Sequence, residues 1–240
     1  MKSNKIERFR YPIVALVACL LVLAGCSHNT PVPSTTQSPN QAQNKDSPEA
    51  EARFKAGVAA YEADDPTLAY KEFLAAAEQG HVDSQFNVAL MYEKGIGVDK
   101  DEKQALEWYD KSARQGNSAA QFNLGVLYEN GRGTEIDYAK ANEWYRKASL
   151  QGDGLAIGNL GMLYIRGQGV PENKVAGLAL LLWSATVDQS PENNARQNIA
   201  ATRGLKPEMI TEAQALADEW SKSQDFLVPL DAYLKSSEKS

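Results

Sequence analysis

Between residues 81 and 152 the apolar positions recur every third or fourth residue, interrupted by short polar stretches. In 117–152, Ala120, Leu124, Leu127 and Tyr128 share one helical face, and Ala141, Trp144, Tyr145 and Ala148 share another. That 3.6-residue period predicts two amphipathic helices and no strand. Gly131 and Gly133 lie between them. A glycine there reaches positive φ without a Cβ clash, which closes the first helix and turns the chain toward the second.

The hairpin recurs with a period of 36 residues. Residues 81–116 align with 117–152 without a gap, placing Gln85-Phe86-Asn87 on Gln121-Phe122-Asn123 and Trp108-Tyr109 on Trp144-Tyr145. A third copy, 153–190, keeps Asn159, Gly161, Tyr164, Gly167 and Gly169 but has Leu180-Leu181 where Trp-Tyr is expected. An abbreviated copy precedes them at about 51–80 and lacks the Gly-x-Gly turn. A two-helix unit of this size cannot bury both faces alone, so neighbouring copies must stack. The expectation is an all-α solenoid over 49–190.

Beyond Ser190 a short helical stretch, about Asn193 to Thr202, leads to Pro207-Glu208, a helix start. Met209, Ala213, Leu216, Ala217 and Trp220 follow at helical spacing, and 191–222 reads as a cap on the open end of the stack. The apolar cluster Phe226 to Leu234, in the tail 223–240, either docks on that cap or offers itself to a partner.

The first 48 residues are different in kind. A cationic start is followed by an apolar run, Ile13 to Leu23, far shorter than the ~20 residues of a membrane span. Residues 1–25 therefore read as a signal peptide. Residues 26–48 are Pro, Ser, Thr, Gln and Asn with hardly an apolar side chain, the composition of a flexible tether roughly 25 Å long.

Charge and chemistry narrow the function. The chain has 25 basic and 31 acidic residues, and with the first 25 residues removed the balance falls to −9. Such a surface repels phosphate backbones, so nucleic acid is not an expected partner. Both cysteines, Cys19 and Cys26, lie near the start, leaving the repeats without a disulfide. The folded part holds one histidine, His81, at a repeat junction where Asn117 and Asp153 stand in the other copies. It reads as a turn residue. Asp64-Asp65 and Asp99-Asp101 read as turn and cap residues, and Gly95-Ile96-Gly97 lacks the strand and downstream Gly-Lys-Ser of a phosphate loop. No catalytic residue, metal site or cofactor is expected.

Two resemblances add to this reading. Leu23-Ala24-Gly25-Cys26 resembles the lipobox of bacterial lipoproteins, which implies acylation of Cys26 by palmitate-like chains and cleavage before it. Ser27, in place of the Asp that favours inner-membrane retention in such proteins, implies an outer-membrane lipoprotein facing the periplasm. The internal copies resemble Sel1-like repeats, relatives of tetratricopeptide repeats, whose pattern A-x-x-x-L-G-x-x-Y-x-x-G-x-G-V, then D-x-x-K-A-x-x-W-Y-x-K-A-A-x-Q-G, is met nearly throughout 81–152. Thr134, where the family favours Val, is a departure.

That second resemblance implies a right-handed α-solenoid whose first helices line a groove for protein or peptide partners of the envelope. Carried over by position, the candidates are Phe86, Asn87, Leu90 and Glu93, then Phe122, Asn123, Val126 and Glu129, then Asn159, Met162 and Arg166. The same Phe and Asn rows are equally suited to packing and hydrogen bonding between copies. The expected role is a lipid-anchored, non-enzymatic adaptor. The competing readings are a β-lactamase or wall-hydrolase type enzyme, as assigned to some cysteine-rich relatives, and a passive structural component.

Overall fold

The computed structural model describes residues 47–223 and 225–237, which form eleven helices and no strand. The helices are α1 (Pro48–Glu62), α2 (Pro66–Glu78), α3 (Val82–Lys94), α4 (Glu102–Arg114), α5 (Ser118–Asn130) and α6 (Tyr138–Leu150). They continue as α7 (Gly154–Arg166), α8 (Lys174–Val187), α9 (Ala195–Ala201), α10 (Pro207–Trp220) and α11 (Leu227–Ser237). Residues 1–46, on which the expected signal peptide, Cys26 and most of the expected tether fall, lie outside the described residues. The stack begins a little earlier than expected, because Ser47 caps α1 by accepting from the Ala50 amide.

Each helix start of the hairpins is fixed by a side chain that accepts a hydrogen bond from an otherwise orphaned amide. Asp65, Asp101, Asp137 and Asn173 cap the second helices, and His81, Asn117 and Asp153 cap α3, α5 and α7. Each such cap contributes about 1 kcal/mol. His81 takes this role through Nδ1, and its ring stacks on Phe54 with centroids 4.8 Å apart. The first helices of the three full copies end on Gly95, Gly131 and Gly167, all left-handed. The second glycine of each turn serves contact as well as φ. A Cβ at Gly133 would lie 2.2 Å from the Glu102 carbonyl oxygen, so the turn rests directly on the preceding second helix.

Packing is pairwise and sequential. α1 pairs with α2, α3 with α4, α5 with α6 and α7 with α8, and each second helix meets the first helix of the next copy. The Trp-Tyr pairs are core residues, with Tyr109 and Tyr145 fully buried and Trp108 and Trp144 nearly so. The N-terminal end of the stack is blunted. Where α3 buries Ser84, Val88 and Met91, aligning the helix ends places exposed Ala52, Ala56 and Ala59 on α1, so little apolar area faces solvent there.

The C-terminal end is closed by a different device. α10 packs directly on α8, and α11 touches α8 as well. Phe226 meets Trp183 edge-on at 4.6 Å, Leu230 is fully buried, and Arg146 on α6 donates to Asp231 at 2.6 Å. Of the two placements open to the Phe226–Leu234 cluster, docking is the one the fold adopts. The cap also accounts for Leu180-Leu181. With α10 and α11 over it, α8 is enclosed on nearly all sides, and Leu178, Leu180 and Leu181 are at most 1% exposed. α10 itself starts without a side-chain cap, since Lys206 accepts nothing.

Candidate functional site

The candidate residues come from α3, α5 and α7, which together form one face of the stack. Phe86 and Phe122 occupy equivalent places and lean on the tyrosine of their own hairpin. The ring centroids are 5.7 Å apart for Phe86–Tyr109 and 6.1 Å for Phe122–Tyr145. Each phenylalanine is half-buried, as are Leu90, Val126 and Met162. The five come from equivalent places on successive first helices, and Phe86, Leu90, Phe122 and Val126 pack against the buried clusters while remaining partly exposed. The Phe row stops at the third copy, where Gly158 stands in its place and a Cβ would meet Ser184 Oγ at 2.9 Å.

The charged candidates behave differently from expectation. Glu93, anticipated on the rim, is 9% exposed and tied down on all sides. It accepts from the Tyr109 hydroxyl at 2.8 Å, from Lys94 at 3.0 Å and from Arg132 at 3.2 Å. Burial pushes its carboxyl up, but the hydrogen bonds from Lys94 and Tyr109 and the charges of Lys94 and Arg132 outweigh it and leave the group below the usual carboxylate range. Glu93 is a bolt between copies rather than a rim residue, because Arg132 belongs to the next turn and also grips Glu102 at 3.0 Å. Glu129 repeats the theme, accepting from Tyr145 at 2.6 Å with Arg166 3.9 Å away. Arg166 remains half-exposed.

The three asparagines of the row also separate. Asn159 donates to the Tyr145 hydroxyl at 3.1 Å, and that hydroxyl donates onward to Glu129. Burial first, and then the Glu129 charge, drive the Tyr145 phenol far above its ordinary value, which keeps it a donor. Asn123 and Asn87 have no such bond among the described residues, although Asn87 is only 3% exposed. The residue equivalent to Tyr145 two copies earlier is Phe73, which has no hydroxyl for Asn87 to meet.

Sequence reasoning passed over the glutamines and Arg132. Gln115 donates to the Gly80 carbonyl and to Gln85 at 2.7 Å, and Gln151 does the same to Gly116 and Gln121 at 2.8 Å. Gln85 and Gln121 in turn donate to Ala77 and Ala113 carbonyls. The signal was present, since both glutamines recur at the 36-residue period, but recurrence alone does not tell a binding residue from a joint. Two shallow clefts, of about 160 and 370 Å³, lie at the α8–α9 loop and between α8 and α10, away from the Phe row. Among the described residues no group of His, Cys, Asp and Glu is placed to hold a metal ion, and no helix is long and apolar enough to cross a membrane.

The hairpin geometry, with its left-handed Gly closing the first helix and its second Gly seated on the preceding copy, has a counterpart among known families. Residues 82–117, 118–153 and 155–184 match the Sel1 repeat. Three consecutive segments of the chain are thus similar to that repeat, over less than half of its length. Among solved structures it is similar to a Sel1 repeat protein from Oxalobacter formigenes, at 27% identity and a TM-score of 0.58, covering 69% of this chain and 72% of that one. It also matches c5321, described as a protective antigen of uropathogenic Escherichia coli strains with an SLR fold. There the identity is 26% and the TM-score 0.46, over 78% of this chain and 48% of that one. Comparison with curated proteins yields no match. Sel1 repeat proteins generally mediate protein–protein interaction, and the fold is typically a non-enzymatic scaffold. No enzyme family is indicated.

Proposed function

We propose that the protein is an envelope adaptor, held at the outer membrane by acyl chains on Cys26 and binding protein partners through the face formed by α3, α5 and α7. The observation that carries the binding half is the recurrence of half-buried apolar side chains at equivalent places in successive copies, Phe86 and Leu90, then Phe122 and Val126, then Met162. A stripe of that kind is fixed by packing beneath and leaves apolar edges above, the usual anatomy of a recognition surface. The anchor half rests on Leu23-Ala24-Gly25-Cys26, and the periplasm-facing orientation on Ser27.

The test is capture of the full-length lipoprotein from mildly crosslinked cells, with the Phe86→Ala/Phe122→Ala double variant in parallel. A small set of envelope proteins recovered with the wild type and lost with the variant is the expected result. Equal recovery from both removes this face as the binding surface. Metabolic labelling with palmitate is expected to mark the wild type and not Cys26→Ser, whose labelling would overturn the anchor.

A further inference from the structure

We infer that the cleft between α8 and α10 holds an arginine side chain of a partner protein, its guanidinium laid on the Trp183 indole and bonded by the Asp218 carboxylate. The cleft shares no lining residue with the α3, α5 and α7 face, so this site stands apart from the adaptor reading above.

The second helices themselves show what their tryptophans hold. On α4 the Lys111 ammonium lies 3.5 Å from the centre of the Trp108 ring, and on α6 that of Lys147 lies 4.0 Å from the Trp144 ring. Each lysine follows its tryptophan by one helical turn. At the 36-residue spacing α8 has Leu180 in place of Trp144 and Trp183 in place of Lys147, and one turn beyond stands Thr186. The indole has moved along the helix and lost its cation. Among the described residues no lysine or arginine lies over Trp183. Its one ring contact is Phe226, edge-on at 4.6 Å with the rings 74° apart. A T-shaped contact occupies at most one indole face, whichever ring supplies the edge. Trp183 is half-buried and lines the cleft of about 370 Å³, with Leu182 and Ala217 as apolar wall and Gln214 and Asp218 from α10.

Asp218 supplies the charge. It is the only charged residue of the lining, it is exposed, and it makes no ion pair among the described residues, Lys222 one turn on included. α10 carries Glu208, Glu212, Asp218 and Glu219 and no basic residue, so the field over the cleft favours a cation. Gln214, one turn before Asp218, is exposed and has no hydrogen bond from its side chain among the described residues, which leaves its amide oxygen as a second acceptor. The choice among cations follows from shape. A guanidinium is planar and weakly hydrated, so it stacks on an aromatic face while its N–H groups reach a carboxylate beside the ring. An ammonium is a strongly hydrated point charge without that plane.

The experiment uses full-length protein in non-ionic detergent, isotope-labelled at its four tryptophans for NMR. It is titrated with a blocked glycine–arginine–glycine tripeptide and with the same peptide bearing lysine or citrulline in the middle. Citrulline keeps the shape of arginine and removes its charge. The indole N–H signal of Trp183, identified as the one missing from Trp183→Phe, is expected to move with arginine, less with lysine and not with citrulline. The signals of Trp108 and Trp144 stay in place under their lysines. Asp218→Asn is expected to weaken the arginine titration about threefold, and a rise in salt from about 0.05 to about 0.5 M by a similar factor, the scale of an exposed ion pair. The Asp218 side chain bonds to nothing else among the described residues, so this variant reads binding and not folding. An unmoved Trp183 signal, citrulline as effective as arginine, lysine as tight as arginine, or Asp218→Asn titrating as wild type overturns the inference. A Trp183 signal moved by an uncharged N-acetylglucosamine oligosaccharide and by none of the peptides overturns it as well, and assigns the cleft to glycan.

Discussion

The hairpins α3–α4 and α5–α6 are joined to their neighbours through Gln85, Gln115, Gln121, Gln151, Glu93 and Arg132, whereas α7–α8 has aliphatic residues in several of the same places. At the 36-residue spacing Ile157 replaces Gln121, Val187 replaces Gln151, Ile165 replaces Glu129, and Leu181 replaces Tyr145. Buried side chains divide the same way. One apolar cluster runs from Ala60 to Trp144, and a second from Ala141 through α8 to Leu230. Internal copies must repeat, and directional hydrogen bonds between glutamine and carbonyl fix one register between identical units. The last copy need not repeat. It is covered by α10 and α11, and an apolar surface is what a cap can bury.

The largest predicted effect tests the apolar half. Gly161 and Gly177 face each other so closely that a Cβ at Gly177 would lie 2.5 Å from the Gly161 carbonyl oxygen and 3.0 Å from the Ile165 amide nitrogen. Backbone cannot yield as a side chain does. Gly177→Ala is therefore expected to destabilise by roughly 1–3 kcal/mol through overpacking, against an intrinsic helix preference for alanine of about 1 kcal/mol. Denaturant unfolding monitored by circular dichroism measures the net. A variant as stable as wild type would show that α7 and α8 separate at little cost, and the contrast between the two halves would lose its basis.

A smaller effect tests the polar half. Glu93→Gln leaves Arg132 facing a neutral amide and weakens the bond from Tyr109, at an expected cost of about 1–1.5 kcal/mol. The pH dependence carries the sign. Because the folded-state carboxyl of Glu93 sits below its ordinary value, its contribution is present above the unfolded value of about 4.3 and is lost as pH falls through the lower folded one. Wild type and variant should thus differ most at neutral pH and converge in acid. Curves that stay parallel down to strong acid would mean that the glutamate acts by shape alone.

Much of this was legible before any coordinates. Repetition at 36 residues, Gly131 and Gly133, and the Ala, Leu and Trp-Tyr spacing specify hairpins and stacking, because backbone conformation and apolar burial leave a periodic trace. The polar partners did not show themselves in the same way. Phe86 reads alike as groove or packing residue, and its ring contact with Tyr109 shows the packing part alone. Glu93 looked like a surface acid because its partner, Arg132, is 39 residues away in a turn that sequence marks only by its glycines. The purpose of Leu180-Leu181 was hidden for a related reason, since what covers α8 comes from the tail.

The smallest expected effect sits at the seam between the two halves. Asp153 caps α7, its Oδ1 accepting from the Ala156 amide at 2.9 Å, and is followed by Gly154, where a Cβ would meet Asp188 Cβ at 2.4 Å. Burial chiefly, with a contribution from the Asp188 charge, raises the Asp153 carboxyl above its usual range despite the cap bonds. A raised folded-state value means that the folded protein holds this proton more tightly than the unfolded chain does. Stability is then lost as pH rises through the unfolded value of about 3.9 and then the folded one. The neighbouring copy has Asn117 at this place, capping α5 by the same bond at 2.8 Å without a charge to bury. Asp153→Asn is accordingly expected to raise stability at neutral pH by a few tenths to about 1 kcal/mol, the balance of a relieved charge against a somewhat weaker cap. The gain should shrink in acid, where Asp153 is neutral as well. Melting temperatures of both proteins across pH measure it. A variant less stable than wild type at neutral pH would show that the charge strengthens the cap at the start of α7 by more than its burial costs, and that the seam tolerates polarity as readily as the glutamine-joined copies before it.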